Sequence, residues 1–122
     1  MTASRILIAD DDFDLGQFLG NQLHTIGYEV SIVENGEDAI AQLRQQRFDL
    51  AIVDIRMPII DGFGVLRHIR EEKLPTKVVM LTAYADLKHY VMSKECGADE
   101  FLTKPYDFES LRGIIETLVQ QE

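Results

Sequence analysis

The sequence predicts an α/β fold: a doubly wound (βα)5 three-layer sandwich around a parallel five-stranded sheet with strand order 2-1-3-4-5. Short apolar runs alternate with amphipathic helical patterns along the whole chain, and the central runs lack the polar alternation of half-exposed strands. Such alternation gives a parallel sheet with right-handed crossovers and helices on both faces. A chain of 122 residues is the size of one domain, which we expect to span residues 1–122.

The predicted strands are short aliphatic runs. The run 50–53 reads Leu-Ala-Ile-Val and the run 78–81 reads Val-Val-Met-Leu, so both are apolar on the two faces that a strand presents. Strands of this kind are buried on both sides of a parallel sheet. The five strands are expected at 5–10, 28–33, 48–53, 77–82 and 99–102.

A helical pattern follows each predicted strand. The first helix ends before Gly27 and the third is followed by Pro75. The fifth has the clearest apolar stripe, with Asp107 as its N-cap, whereas the fourth has the weakest stripe and ends before Gly97. The five helices are expected at 13–25, 36–46, 63–72, 86–96 and 108–120.

The composition restricts the classes of function. A net charge of −9 argues against direct binding to nucleic acid phosphates. The chain has no run of about 18 apolar residues and no apolar leader at its N-terminus, so we expect neither a membrane span nor a signal peptide. Cys96 is the single cysteine, which excludes an internal disulfide and favours a cytoplasmic location.

Charged and hydroxyl side chains gather where the predicted strands end. Asp10 and Asp11 follow the first strand, and Asp54 follows the third. Thr82 ends the fourth strand and Lys104 follows the fifth. In the predicted order these ends lie side by side, about 4.8 Å apart, at the edge where such sheets bind ligands. We therefore expect all five side chains within reach of one small ligand.

This group of residues suits phosphoryl transfer. Three carboxylates in one crevice repel one another unless a cation is present. Mg²⁺, with Mn²⁺ as a substitute, needs only one or two carboxylates and keeps several waters. A carboxylate beside the ion can attack phosphorus to give an aspartyl phosphate. Lys104 would neutralise the arriving oxygens, and Thr82 would donate a hydrogen bond to one of them.

Each residue also has a simpler explanation on its own. Asp11 or Asp12 could cap the first helix, and Asp54 could form a turn. Thr82 could be an ordinary strand residue, and Lys104 could be a solvated surface lysine. Their joint occurrence at neighbouring strand ends favours the functional interpretation.

Five ordered segments match a known family. They are Ile6–Asp12, Asp54–Pro58 with Asp61 and Gly62, Met80–Ala83, Gly97–Asp99 and Phe101–Pro105. Through them the chain resembles, over essentially its whole length, the receiver domain of two-component response regulators (the CheY-like superfamily). The resemblance implies a flavodoxin-like fold. It also implies a phosphorylation-activated signalling switch rather than an enzyme, with self-phosphorylation and autodephosphorylation as its intrinsic activities.

The resemblance implies a role for the phosphoryl-handling residues. Asp54 accepts the phosphoryl group from a sensor histidine kinase or a histidine phosphotransfer protein, and Thr82 and Lys104 contact that group. Phe101 moves inward as Thr82 is drawn to the phosphate, which changes the face made by the fourth helix, fifth strand and fifth helix. That face would serve a downstream output domain, an effector or a phosphorylation-dependent homodimer. The bond from Lys104 to Pro105 is expected to be cis.

The resemblance also implies the metal ligands and the residues that tune phosphate lifetime. Asp11, Asp54 and the backbone carbonyl of Arg56 would hold Mg²⁺, with Asp10 acting through metal-bound water and no other cofactor. The side chains of Arg56 and Tyr84 would shield the aspartyl phosphate, so that its lifetime is not among the shortest.

Two other classes of protein share parts of this pattern. A haloacid-dehalogenase-type phosphatase needs a second acid two residues after the nucleophile, where this chain has Arg56. A flavin carrier needs a Ser/Thr/Gly-rich phosphate loop after the first strand, where this chain has three aspartates, Asp10 to Asp12. Within the receiver interpretation, the sequence leaves open a stand-alone regulator, a fragment of a longer regulator and the receiver of a hybrid kinase, and it identifies neither the kinase nor the output.

Overall fold

The computed structural model describes residues 3–83 and 87–120. The strands are β1 (Arg5–Ala9), β2 (Glu29–Val33), β3 (Leu50–Val53), β4 (Lys77–Thr82) and β5 (Glu100–Thr103). The helices are α1 (Phe13–Thr25), α2 (Gly36–Gln45), α3 (Gly62–Glu71), α4 (Leu87–Glu95) and α5 (Phe108–Gln120). The sheet is parallel with order β2-β1-β3-β4-β5, so the predicted fold class and strand order are confirmed.

Most element ends lie within one residue of the prediction. The exception is β3, which begins at Leu50 rather than at residue 48. Phe48 is buried there, but its carbonyl accepts a hydrogen bond from the Thr76 hydroxyl at 2.9 Å instead of a ladder bond. β5 begins one residue later than predicted, at Glu100; just before it, the Asp99 amide donates to the Val78 carbonyl at 2.9 Å and the Asp99 carboxylate accepts from the Val78 amide at 2.8 Å. The predicted start of the fourth helix, residue 86, lies outside the described residues.

Two apolar layers cover the sheet. α2 and α3 pack on one face, and Met92 of α4 and Cys96, just after α4, pack against the same apolar layer. α1 and α5 pack on the other, through Leu19, Leu23 and Leu111 among others. β3 is buried throughout, as the continuous apolar run predicted. Within the described ranges no helix is long and apolar enough to cross a bilayer.

Polar caps fix where the helices begin. Asp12 caps α1 by accepting a hydrogen bond from the Leu15 amide at 3.1 Å, so Asp12 and not Asp11 has the capping role. Asp61 caps α3 in the same way, and Asp107 accepts from the Ser110 amide, which confirms its predicted position at the start of α5. Because Asp12 caps α1, Asp10 and Asp11 are the two acids after β1 that can contribute to a site at the sheet edge.

Candidate functional site

Three carboxylates meet at the carboxyl edge of the sheet. Asp10, Asp11 and Asp54 each have an oxygen within 4.8 Å of the others. The backbone causes this convergence: the Asp54 amide donates to the Ala9 carbonyl at 2.9 Å, so both acids leave the sheet at the same level on adjacent strands. Asp10 and Asp54 are 5% and 6% exposed, whereas Asp11 faces solvent. Two buried acids side by side need a compensating cation.

Lys104, the residue that follows β5, supplies that cation. Its Nζ lies 2.7 Å from Asp10 Oδ2 and 3.1 Å from Asp54 Oδ2. The Lys104 amide donates to the Thr82 carbonyl at 2.8 Å, which continues the β4–β5 ladder and sets the lysine beside the acids. The peptide bond to Pro105 is cis, as the family resemblance implied. The interpretation of Lys104 as a solvated surface residue is therefore wrong, since its side chain is only 15% exposed.

Burial and pairing shift the ionisation of this group. Burial raises the pKa of Asp10, because the charged form loses water, and the hydrogen bond from Lys104 only partly opposes this. Burial also disfavours the charge on Lys104, but the hydrogen bond and charges of Asp10 and Asp54 outweigh it, so the Lys104 pKa is raised. The ammonium is therefore held charged between two carboxylates.

The two oxygens of the Asp54 carboxylate differ in their hydrogen bonding. Its Oδ1 is buried and has no hydrogen-bond partner among the described residues, although its Oδ2 is bound by Lys104. Asp10 differs, since its Oδ1 accepts from the Asp12 amide at 2.9 Å and its Oδ2 from Lys104. An orphaned buried carboxylate oxygen beside exposed Asp11 suits a hard dication that takes oxygen ligands. The residues present therefore fit a Mg²⁺ ion.

The loop from β3 to α3 folds back over Asp54. A Cβ added at Gly62 would lie 2.3 Å from the Asp54 carbonyl oxygen, so only glycine allows this approach. The Gly62 amide donates to the Ile55 carbonyl at 2.8 Å and closes the loop. Gly62 therefore sets the close approach of the start of α3 to the Asp54 backbone.

A cleft of about 470 Å³ opens beside the acids, between this loop and α4. Its charged and polar lining comes from both sides and consists of Asp11, Arg56, Asp61, Lys88 and His89. The strand-end pattern did not identify the two groups from α4, Lys88 and His89. The His89 ring stacks on the buried Phe63 ring, with centroids 6.1 Å apart and planes within 7°. Periodicity put His89 on a helix but could not say which element that helix faces.

The remaining predicted residues lie on β4 and β5. Thr82 is fully buried at the end of β4, opposite Thr103 in the sheet register. Phe101 is half-buried, and its ring meets Tyr90 of α4 edge-on, with centroids 5.7 Å apart. Tyr84 lies outside the described residues. The structure thus gathers Asp10, Asp11, Asp54 and Lys104 at one point, with Thr82 joined to them through the backbone.

Known proteins share this architecture. The family model described as "Response regulator receiver domain" matches residues 6–116. The transcriptional regulatory protein PcoR of Escherichia coli is 33% identical over 117 residues, which are 96% of this chain and 52% of PcoR. The chain therefore spans about half the length of that curated relative.

Two solved structures add the fold comparison. The response regulator protein TrrA of Thermotoga maritima, solved in complex with Mg²⁺ and BeF, has a TM-score of 0.85 at 36% identity, covering 94% of this chain and 98% of TrrA. The signal receiver domain of a histidine kinase from Syntrophus aciditrophicus has a TM-score of 0.89 at 35% identity, covering 97% and 91%. With the family model matching most of its length, this chain belongs to the response regulator receiver domains of two-component systems.

Proposed function

We propose that Asp54 accepts a phosphoryl group, in a Mg²⁺-dependent reaction, from the phosphohistidine of a sensor kinase or a histidine phosphotransfer protein. The observation that carries this proposal is the state of the Asp54 carboxylate. One of its oxygens is buried without a hydrogen-bond partner among the described residues, and the other is bound by Lys104. Family membership favours this switch over the phosphatase and flavin-carrier alternatives.

The metal would be held by Asp11, Asp54 and the backbone carbonyl of Arg56. Asp10 would act through a bound water, which agrees with both of its oxygens already having protein partners. When bound, Mg²⁺ supplies positive charge to the carboxylates and to the phosphoryl oxygens, and Mn²⁺ could replace it.

The chain's own residues would carry the transfer. An Asp54 oxygen attacks phosphorus, the bond from phosphorus to the donor's imidazole nitrogen breaks, and the electron pair leaves on that nitrogen. Lys104 turns from the carboxylates to the new phosphoryl oxygens, and the Thr82 hydroxyl donates to one of them. Catalysis is mainly alignment and charge neutralisation, so the domain also takes phosphoryl groups from small donors and hydrolyses its own aspartyl phosphate.

The phosphorylated state would be transmitted through β4 and β5. A Thr82 side chain drawn toward the phosphate leaves space that Phe101 can enter, and Phe101 already contacts Tyr90 of α4. The surface formed by α4, β5 and α5 then changes its preference for an output domain, an effector or a second copy of this chain. Direct contact with nucleic acid is not part of this role, since the chain carries a net charge of −9.

Phosphate lifetime would depend on Arg56 and Tyr84. Arg56 is exposed on the cleft beside Asp11, where a long side chain can restrict the approach of water. Arg56→Ala and Tyr84→Ala should each shorten the lifetime of the aspartyl phosphate, measured by the loss of the phosphorylated mass after the donor is removed. Unchanged lifetimes in both variants would remove the shielding role.

Intact-protein mass spectrometry tests the proposed function. Incubation with phosphoramidate and Mg²⁺ should add about 80 Da, the mass of HPO₃, to the parent chain, and peptide mapping should locate it on Asp54. Asp54→Asn and an EDTA-treated parent chain should gain no mass, and Asp11→Asn should need more Mg²⁺. Phosphate on another residue, or release of many phosphates per chain, would contradict the proposal.

The wider context follows from the relatives. Because the chain covers about half of PcoR, its output could lie in a further domain of a longer regulator. The similarity to TrrA, described as a response regulator protein, and to the receiver domain of a histidine kinase from Syntrophus aciditrophicus leaves a stand-alone regulator and a hybrid kinase as the other two arrangements. A cytoplasmic location agrees with each of these arrangements.

A further inference from the structure

Ile59 has a backbone conformation that isoleucine avoids. Its φ is +74°, and the Ile60 amide donates to the Pro58 carbonyl at 2.9 Å, so Ile59 is the central residue of a γ-turn with positive φ. This turn is rare and strained even for unbranched residues, and a β-branched residue with positive φ is an outlier. Within the described ranges, Lys73 is the other non-glycine residue with positive φ, at +54°.

The loop is fixed on both sides of this turn. Before it, Met57 is buried. After it, Ile60 packs against the core in space left by two glycines: a Cβ at Gly36 would lie 2.1 Å from the Ile60 carbonyl oxygen, and a Cβ at Gly64 would lie 2.5 Å from Ile60 Cγ2. With both flanks held, the residue at position 59 has to take the strained conformation.

Packing gives no reason for an isoleucine at this place. The Ile59 side chain is 70% exposed, so it buries little apolar surface inside this chain. Glycine or asparagine would adopt the turn at lower cost. Isoleucine at this position therefore has two costs, a strained backbone and an apolar side chain exposed to water. Strained residues of this kind are concentrated at functional sites.

The location of the turn indicates what the side chain meets. The loop starts at Asp54 and returns to its backbone at Gly62, so Ile59 is exposed near the middle of a loop whose two ends lie beside a phosphoacceptor that is itself only 6% exposed. A protein that brings a phosphohistidine to Asp54 has to approach this loop. A small phosphoryl donor has no such need.

We propose that Ile59 is a specificity-determining contact for the protein that donates the phosphoryl group. The strained turn holds an apolar side chain outward, where it packs against an apolar patch beside the donor's phosphohistidine. This inference rests on the proposed function, because it assumes transfer to Asp54 from a protein donor.

The test compares two donors on the same variants. The protein donor is the autophosphorylated histidine kinase that transfers fastest to the parent chain in a panel of purified kinases, and the small donor is phosphoramidate with Mg²⁺. The variants are Ile59→Gly and Ile59→Asn, which suit the turn but lack the apolar side chain, and Ile59→Leu, which keeps it. Lys73→Gly is the matched control, since it relieves the other positive φ at the opposite edge of the sheet.

Ile59→Gly and Ile59→Asn should lower kcat/KM with the kinase by about tenfold, the size of one well-buried apolar contact, mainly through KM. Both should react with phosphoramidate at the parent rate and melt no lower than the parent chain. Ile59→Leu should keep most of the kinase rate, and Lys73→Gly should match the parent with both donors.

Parent-like kinase transfer in Ile59→Gly and Ile59→Asn would overturn the inference. Equal slowing with both donors would also overturn it, since the turn would then act on the geometry of Asp54. So would a panel in which phosphoramidate phosphorylates the parent chain but no kinase does. Failure of the proposed function is a separate result, in which phosphoramidate adds nothing to Asp54 of the parent chain.

Discussion

Two helices border the cleft beside Asp54, and they are held very differently. α3 buries five residues and begins at the Asp61 cap, and in its last turn the Arg70 guanidinium donates to the Gly97 carbonyl and to Asp99. α4 buries only Ser93, and the Ser93 hydroxyl bonds within its own helix, to the His89 carbonyl at 2.8 Å. Among its described contacts to other elements are the ring pairs Phe63–His89 and Tyr90–Phe101.

The loop before α3 and α3 itself therefore hold the site in place, whereas α4 is the element that can change position when the site changes. Elements with few buried apolar contacts open locally at low free energy. The loop and helix that follow Asp54 are fixed by buried side chains and close backbone approaches, so the acceptor stays in place. α4 is held by two ring contacts and by the partly buried Met92, and the Arg70 attachment lies just beyond its C-terminal end. Its N-terminal half is therefore the part that a change at the site can displace.

The largest predicted effect tests the packing of α3 directly. Leu66→Ala removes a fully buried side chain of α3 and should lower the free energy of unfolding by about 2–5 kcal/mol. Leu87→Ala removes a side chain of α4 that is 75% exposed and should change it by less than about 0.5 kcal/mol. Urea unfolding measures both, and equal losses would abolish the contrast between the helices.

A smaller loss is expected when the buried acids lose their cation. Lys104→Met leaves Asp10 and Asp54 without their ammonium and should cost about 2 kcal/mol at neutral pH in EDTA, less than for a fully buried pair because Lys104 retains some solvent contact. Added Mg²⁺ should restore part of that stability, since it neutralises the same carboxylates. Lys94→Met, at an exposed lysine of α4, should be nearly neutral. Loss of stability that Mg²⁺ does not reduce would contradict the neutralising role.

The pH dependence should come from the acid cluster. Because burial raises the pKa of Asp10, the folded state binds a proton there more readily than the unfolded state. The resulting stabilisation is fully present below the ordinary carboxyl pKa and is lost as pH rises through the raised value.

Asp10→Asn in EDTA should therefore melt higher than the parent chain at pH 7, with an advantage that shrinks toward pH 4. Asp14→Asn, at an exposed acid in the first turn of α1, is the control for the loss of one negative charge. An advantage for Asp10→Asn that stays constant with pH would mean that the gain does not come from ionisation.

The smallest effect is expected on α4 itself. Tyr90→Ala removes the edge-on contact with Phe101 and should lower the free energy of unfolding by about 1 kcal/mol or less. The same change should speed amide hydrogen exchange in α4 without affecting α3. Val91→Ala, next to it on α4 and 41% exposed, is the matched control. Faster exchange in both helices would mean that Tyr90 supports the whole fold.

The contrast between the helices also explains what could be predicted from the sequence. The strand 50–53 shows its burial as a continuous apolar run, and α5 shows its buried face as an apolar stripe, so the alternation of strands and helices and the fold class could be predicted from these patterns. The gathering of Asp10, Asp54 and Lys104 followed from the strand order, because strand ends share one edge.

Other features depend on contacts that no local pattern encodes. The stack of His89 on Phe63 depends on how α4 sits on α3, and the amphipathic pattern of α4 is too weak to fix that. The assignment of the α1 cap to Asp12 rather than Asp11 depended on one hydrogen bond. The strain at Ile59 arises from glycines at positions 36 and 64, which only the folded chain brings next to Ile60.

Amide hydrogen exchange with and without phosphorylation tests the central claim most directly. With Mg²⁺ and phosphoramidate, the parent chain should change its exchange in α4 and β5, whereas α3 keeps its protection and Asp54→Asn shows no change in either. A change in α3 as large as that in α4, or the same change in Asp54→Asn, would contradict a fixed acceptor that signals through a loosely held helix.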